Sequence, residues 1–167
     1  MHTLLETPHG SRLYGLDHKG SDYDRFMVVE DNPGAKARYS KHEISGVHDL
    51  VICDLSTFTA YAGKGVPQYL EAMWTPCPIV DQITNMRMSF NPDYYLTQDT
   101  YQRTAHNFYV KGKGTGNNKF RRHAYRLVLN LLDYRENGIF NPRMTIVQIE
   151  QLQCMLDWDL HPDSYLD

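Results

Sequence analysis

The sequence predicts an α+β fold in which helices cover a small mixed β-sheet and a largely helical C-terminal half follows. Two short apolar runs near the N-terminus are rich in strand-forming residues and are each flanked by carboxylates. Farther along, apolar residues recur at helical spacing over longer stretches. The chain has 167 residues, of which 41% are hydrophobic, which is enough for a core. We expect a catalytic core at 1–90 and a helical part at 91–167 packed on it as a single compact unit.

A glycine-serine turn begins the part of the sequence that points to chemistry. Gly10-Ser11 precedes residues 12–14, which are predicted to continue into a short helical segment, and Gly15 and Gly20 then release the chain. Backbone N–H groups and a serine hydroxyl at such a turn can hold a phosphate oxygen. Gly10 and Ser11 are therefore candidate phosphate-binding residues.

The first predicted strand runs from residue 22 to residue 30, because residues 26–29 are apolar and favour strands. Asp22 and Asp24 precede them at i, i+2 spacing. Side chains alternate across a strand, so both carboxylates are expected on the same side, with about 7 Å between their Cα atoms. Two hard oxygen ligands on one face suit Mg²⁺ or Mn²⁺, which share their remaining positions with substrate phosphates. The turn and this pair outline a metal-dependent phosphoryl-transfer site.

A second strand is predicted at 47–54, where Val47, Asp49, Val51 and Cys53 share one side. Asp54 stands where it can cap a helix that begins at Leu55. Further helices are predicted at 55–64, 68–74, 94–109, 119–137 and 143–157, with Pro67 starting the second and Gly138 ending the fourth. The helix at 119–137 is the best defined. Residues 111–119 are rich in glycine and lysine, and we interpret them either as a mobile loop over triphosphate or polynucleotide or as a solvated connection.

The charge of the chain is strongly polarised, although its net value is only −3. Residues 101–149 contain nine basic and two acidic side chains, which indicates an anionic partner. Arg122 and Arg126 lie i, i+4 in the first turns of the predicted helix at 119–137, where positive charge opposes the helix dipole unless an anion compensates. With Lys119, they are candidate phosphate ligands. The other interpretation is a basic patch that faces the acidic N-terminal half of the same chain.

Gly10-Ser11 and Ser21-Asp22-Tyr23-Asp24 resemble the signature of the DNA polymerase beta-like nucleotidyltransferase superfamily. The longer string at 8–16 looks most like the RlaP/YcgL-type predicted nucleotidyltransferases of bacteria and phages, and residues 49–58, 65–74 and 123–127 are similar to later segments of that branch. The resemblance implies a nucleotidyltransferase-like fold and a third carboxylate on a neighbouring strand, at Asp49. Asp54 is the competing candidate for that position.

The resemblance implies a divalent-metal-dependent transferase that moves a nucleoside monophosphate from an NTP to a hydroxyl on RNA, protein or a small molecule. Two alternatives stay open, a metal-dependent (deoxy)nucleotide phosphohydrolase on the same scaffold and a non-catalytic module that binds RNA or a partner. An RNA or protein acceptor would meet the basic segment at 101–149. The predicted site residues are Asp22, Asp24 and Asp49 for metal binding and catalysis, and Gly10, Ser11, Ser21, Lys119, Arg122 and Arg126 for nucleotide phosphates.

The sequence also limits location and structural metals. No window approaches the ~20 apolar residues that span a bilayer, and no signal-peptide core is present, so we expect a cytoplasmic protein, in the host cytoplasm if it is phage-encoded. Cys53, Cys77 and Cys154 are widely spaced and odd in number, which argues against a disulfide framework. The eight histidines show no His-x-x-x-His spacing, so the sequence predicts no structural zinc.

Overall fold

The computed structural model of the chain describes residues 2–31, 40–45 and 48–166. Within them, the strands are β1 (Thr3–Pro8), β2 (Tyr23–Val29), β3 (Ser40–Ser45), β4 (His48–Asp54) and β5 (Val80–Asp81). They form one sheet in the order β3-β4-β2-β1-β5. The β2–β4 pair is parallel, whereas the β1–β2, β1–β5 and β3–β4 pairs are antiparallel. The predicted mixed sheet and α+β class are confirmed.

The helices of the described residues are interspersed with the strands in the N-terminal half and dominate the C-terminal half. They are α1 (Gly10–Tyr14), α2 (Leu55–Gly63), α3 (Pro67–Met73), α4 (Thr84–Met88), α5 (Tyr94–Thr115), α6 (Asn118–Asn137) and α7 (Ile146–Trp158), with a final 3-10 turn at Pro162–Tyr165. None of these helices is long and apolar enough to cross a bilayer.

The strongest predictions from local sequence agree with these bounds. The strand expected at 22–30 is β2, the strand expected at 47–54 is β4, and position 47 itself lies outside the described residues. Helix α6 ends at Gly138, whose φ of +73° is the left-handed conformation that glycine adopts without strain. Helix α7 begins at Ile146 rather than at residue 143, because Thr145 and Gln148 form a capping box there. Strands β1, β3 and β5 and helix α4 were not predicted.

The glycine-rich segment at 111–119 was predicted as a loop, and this prediction is wrong for most of it. Helix α5 continues through Thr115, and only Gly116 and Asn117 separate it from α6. Gly112 is buried where α6 crosses, and a Cβ there would lie 2.6 Å from Arg121 Cγ. The absence of a side chain at Gly112 therefore allows α5 and α6 to pack closely. The low helix propensity of glycine predicted a loop because it gives no information about such packing.

One hydrophobic cluster joins the sheet to the helices and includes residues from both 1–90 and 91–167. Phe26 and Val28 project from β2 into it, and Phe58 of α2 and Leu127 of α6 pack in the same cluster. Because alternate residues of a strand share a face, Asp24 lies on the same face of β2 as these two buried residues. The core thus places a carboxylate at the edge of the face that the helices cover.

Candidate active site

Two of the predicted carboxylates lie side by side on neighbouring parallel strands. Asp24 is paired in register with Asp49, each as the second residue of its strand. Residues paired in register on adjacent strands point to the same face of a sheet, so both side chains share the helix-covered face. This juxtaposition depends on β2 and β4 being neighbours, which the local sequence of neither strand indicates.

Asp22 lies just ahead of β2 and is exposed. It was expected inside the strand, whereas β2 begins at Tyr23. Among the side chains that the structure describes, the three aspartates do not each bring an oxygen to within 4.8 Å of the other two. A metal ion held by all three would therefore draw them closer together.

The electrostatic environment of Asp24 is dominated by burial and by the two neighbouring carboxylates. Partial burial raises the pKa of Asp24, and the charges of Asp49 and Asp22 raise it further, while Lys119 acts in the opposite direction. Clustered carboxylates repel one another when ionised, and a divalent cation between them would remove that repulsion. The oxygen-only donor set matches the preference of Mg²⁺ and Mn²⁺. These residues therefore fit the predicted metal.

The glycine-serine turn is pressed against Asp24. The N–H of His9 donates to the backbone carbonyl of Asp24 at 2.8 Å, which fixes the turn to β2. Gly10 has a φ of +60°, and a Cβ at this position would lie 2.2 Å from Asp24 Oδ2. Any residue with a side chain would thus collide with the carboxylate, so glycine is needed here both for conformation and for space.

The loop between α1 and β2 is held by a residue that the sequence analysis did not identify. Arg12 donates to the backbone carbonyls of Asp22 at 3.2 Å and Ser21 at 3.3 Å, and its guanidinium lies 3.6 Å from the centroid of the Tyr23 ring. The Ser21 hydroxyl accepts a hydrogen bond from the N–H of His18 at 2.8 Å. Arg12 belongs to the string at 8–16, but its contacts form only when the loop folds back onto α1.

A cavity of about 420 Å³ brings most of the predicted site residues together. Seven of the nine predicted site residues line this cavity: Gly10, Ser11, Ser21, Asp22, Asp24, Lys119 and Arg122. The carboxylates come from the β2 end of the sheet, and the two cations come from the first turns of α6. Among the described residues, neither Lys119 nor Arg122 has a carboxylate within 4.0 Å. The cavity therefore offers acceptors for a metal and donors for an anion.

Arg126 has a different environment from Arg122, although the two lie one helical turn apart. Its guanidinium is buried and donates to Glu71 Oε1 at 2.5 Å, and it lies 3.6 Å from the centroid of the Tyr14 ring. The Tyr14 hydroxyl donates to Glu71 Oε2 at 2.8 Å. Although burial opposes the charge, Glu71 raises the pKa of Arg126 overall. Arg126 lines a second cavity rather than the one of 420 Å³, and a phosphate contact for it stays a prediction.

Glu71 is the buried acid that sequence reasoning left without a role. Glu71 is flanked in α3 by apolar residues and is 0% exposed. A lone charge within a buried apolar helix signals a buried partner, because an unpaired charge is too costly there. The identity of the partner, Arg126 of α6, depends on the tertiary packing that brings it next to α3.

Asp54, the competitor of Asp49, has a structural role. Its carboxylate accepts from the N–H of Thr57 at 2.7 Å and caps α2. The prediction that Asp54 is an N-cap is confirmed.

A second cavity of about 410 Å³ adjoins the first and shares Gly10, Tyr14 and His123 with it. Its walls are more apolar and include Val66, Phe108 and Leu127 together with the polar side chains of Gln68 and Thr104. Burial and the charges of Arg126, Lys119 and Arg122 lower the pKa of His123 to about 3. His123 is therefore neutral at pH 7, and its ring stands where the two cavities meet.

Comparison with known proteins leaves the family of the chain unassigned. No protein-family model matches it, and no curated protein matches it. One similar solved structure is a nucleotidyltransferase-like protein from Exiguobacterium sibiricum 255-15, with 15% sequence identity and a TM-score of 0.37. The alignment covers 95% of this chain and 58% of that protein, so the chain spans less than two thirds of its length. A likeness this distant assigns neither an activity nor a branch such as the RlaP/YcgL type.

Proposed function

We propose that the chain is a divalent-metal-dependent nucleotidyltransferase that moves a nucleoside monophosphate from an NTP to a hydroxyl acceptor. The observation that carries the proposal is the in-register pair Asp24 and Asp49 beside a cavity whose cations are Lys119 and Arg122. Opposed acidic and basic groups in one cavity match the metal-bound triphosphate that such a reaction requires.

In this proposal Asp22, Asp24 and Asp49 hold Mg²⁺ or Mn²⁺. The chemistry that such an ion supplies is neutralisation of phosphate charge and a lowered pKa for the attacking hydroxyl. Lys119 and Arg122, both on α6, bind the phosphate oxygens of the nucleotide, and the Ser11 hydroxyl donates a hydrogen bond to the same oxygens.

The reaction is an in-line displacement. The acceptor oxygen forms a bond to the α-phosphorus, the bond from that phosphorus to the bridging oxygen breaks, and pyrophosphate leaves. Asp49 takes the proton of the acceptor hydroxyl. The neighbouring cavity, with Phe108 and neutral His123 in its wall, accepts the nucleoside or the acceptor. Most of the rate enhancement comes from positioning and electrostatics.

The basic segment at 101–149 contributes less free charge than its composition indicates. Arg103 pairs with Asp99, Lys113 and Arg121 both pair with Asp159, and Arg126 pairs with Glu71. A nucleic-acid acceptor would therefore depend mainly on cations close to the cavity rather than on the whole segment.

The test is turnover of labelled NTPs with Mg²⁺ or Mn²⁺ and with cellular RNA or protein as acceptors. We expect labelled acceptor and pyrophosphate, reduced about 100-fold or more by Asp24→Asn or Asp49→Asn. Lys119→Ala and Arg122→Ala are expected to lose about tenfold or more, since hydrogen bonds to charged groups contribute about 1.5–3 kcal/mol. Arg103→Ala removes an exposed arginine that does not line the cavity and is the matched control.

A second pair of variants tests the geometry of the turn. Gly10→Ala and Gly15→Ala both place a side chain at a positive φ, of +60° and +73°. The new Cβ meets Asp24 Oδ2 at 2.2 Å in the first case, but nothing closer than 3.7 Å in the second. We expect Gly10→Ala to abolish turnover and Gly15→Ala to retain it.

The turnover assay also separates the alternatives. Phosphate release without label transfer would replace the transferase by a hydrolase, and turnover that survives Asp24→Asn would refute both the transferase and the hydrolase.

A further inference from the structure

Three side chains of the types that bind metal ions lie close together outside the two cavities. His106 of α5 and His161 and Asp163 at the final 3-10 turn each bring one ligand atom to within 4.8 Å of the other two. Within the described parts of the chain, this is the group of three that meets that distance. The histidines come from distant sequence positions, so the short spacings that usually reveal a zinc site are absent. We call this trio the His-His-Asp cluster.

The separation between His161 and Asp163 in the His-His-Asp cluster resembles that of two ligands around one tetrahedral ion. Zinc bonds to nitrogen and oxygen are about 2.0–2.1 Å long, so two ligands of one tetrahedral zinc lie about 3.3–3.4 Å apart. His161 Nδ1 and Asp163 Oδ2 are 3.4 Å apart. The hydrogen bond that this nitrogen accepts from the N–H of Asp163 is long, at 3.3 Å, so exchanging it for a metal bond costs little.

The third ligand approaches from α5. The ring centroids of His106 and His161 are 5.1 Å apart. His106 is exposed, so its side chain has the freedom to turn toward the other two ligands. The 3-10 turn therefore supplies a nearly formed half-site, and α5 supplies an adjustable third donor.

Neighbouring side chains orient the cluster. Gln102, one turn before His106 on α5, donates through Nε2 to Asp163 Oδ1 at 3.4 Å, which leaves Oδ2 directed at His161. The Tyr109 ring packs edge-on against His161, with 5.0 Å between centroids. Metal ligands in proteins are commonly held by such outer contacts, which fix their rotamers.

The backbone that carries two of the ligands is also held in place. The Tyr125 hydroxyl donates to the carbonyl of Leu160 at 2.8 Å, and the Tyr109 hydroxyl donates to the carbonyl of Asp159 at 3.3 Å. Asp159 itself pairs with Lys113 and Arg121. The segment leading into the 3-10 turn is thus anchored to α5 and α6 before any metal binds, which lowers the entropic cost of forming a site.

We propose that the His-His-Asp cluster binds one zinc ion, with water as the fourth ligand. Two imidazoles and one carboxylate select zinc over Mg²⁺, whereas the oxygen-only carboxylates of the active site have the opposite preference. The ion joins the C-terminal segment to α5, which packs along α6, the helix that carries Lys119 and Arg122. The proposal does not depend on the proposed function, because it uses none of the residues of that site.

Metal titration of the purified, chelator-treated protein tests the proposal. Zinc is added in the presence of excess Mg²⁺, and Co²⁺ is used separately as a spectroscopic probe. We expect one zinc per chain, an increase in melting temperature, and the intense visible bands of four-coordinate Co²⁺. His106→Gln and Asp163→Asn should each weaken zinc binding at least tenfold, and Gln102→Leu should weaken it about tenfold through lost orientation.

Two controls make the result decisive. His2→Gln removes an exposed histidine that contacts Gln82 and should leave zinc affinity unchanged. Asp24→Asn alters the proposed active site and should also leave zinc affinity unchanged. This control separates failure of the zinc proposal from failure of the proposed function. Because His106 is exposed, its replacement does not threaten folding. Equal zinc affinity in wild-type and His106→Gln protein, or an octahedral Co²⁺ spectrum, would overturn the proposal.

Discussion

Replacing Arg126 by methionine is expected to destabilise the protein by about 3–5 kcal/mol, the range measured when one partner of a buried ion pair is removed. Arg126 is 3% exposed and Glu71 is 0% exposed, so the fold shields the pair from bulk water. The variant leaves Glu71 with the Tyr14 hydroxyl as its remaining hydrogen-bond donor in the described part of the chain. An uncompensated buried carboxylate is then the main source of the cost.

The size of this destabilisation is set by the cost of protonating the carboxylate, because protonation removes the buried charge. A buried acid without a partner takes up a proton, and for a glutamate this costs about 1.36 kcal/mol for each pH unit above about 4.3. The cost is therefore about 3.7 kcal/mol at pH 7 and about 1 kcal/mol at pH 5. Above a pH of about 4.3, the folded variant binds more protons than the unfolded variant, so the stability of the variant falls as pH rises.

Urea denaturation of wild type and Arg126→Met across this pH range measures the effect. The double variant Glu71→Gln/Arg126→Met is the control, because a neutral amide keeps an acceptor for Tyr14 and removes the charge. We expect it to recover most of the loss and to show no such pH dependence relative to wild type. A loss below about 1 kcal/mol at pH 7, or the same loss at pH 5, would refute the reasoning.

Three other predictions concern packing, capping and ionisation. Gly112→Ala is expected to lose about 1–3 kcal/mol in urea denaturation because its Cβ would lie 2.6 Å from Arg121 Cγ, whereas Gly114→Ala meets nothing and should gain about 0.5–1 kcal/mol; equal effects would contradict the packing argument. Asp54→Ala should lose about 1 kcal/mol in the same assay while Asp54→Asn retains most of the cap, and a loss shared by both would point elsewhere. Because the folded-state pKa of His123 is lowered to about 3, its contribution to stability should fall as pH drops from about 6.5 toward 3; melting curves of His123→Gln should lack this slope, and an unchanged slope would exclude it.

Local sequence was sufficient where structure depends on neighbours within a few residues. The two strands that carry the aspartates follow from alternation and apolar content, and α6 follows from its apolar spacing and Gly138. The Asp54 cap needed only its position before Leu55. Gly10, Ser11, Ser21, Asp22 and Asp24 line one cavity and are close in sequence, whereas the presence of Lys119 and Arg122 in the same lining depends on where α6 packs.

Long-range contacts decided the remainder, and no local pattern encodes them. Gly112 suggested a loop, yet its buried position against Arg121 makes it part of a helix pair. Arg126 looked equivalent to Arg122 along the helix, yet Arg126 pairs with a glutamate from α3 at the second cavity, whereas Arg122 lines the first cavity. Helical spacing fixes the face on which a side chain lies but not what that face meets.

By itself, the sequence determined the α+β class, the two strands with their acidic ends and the helices that follow, because periodicity, capping and turn chemistry act over a few residues. Only the tertiary structure decided that Asp24 pairs in register with Asp49, that Arg126 is neutralised by Glu71, and that His106 lies beside the 3-10 turn. These pairings depend on which strands are neighbours and where helices cross. Such contacts are selected by the packing of the whole core rather than by any local segment.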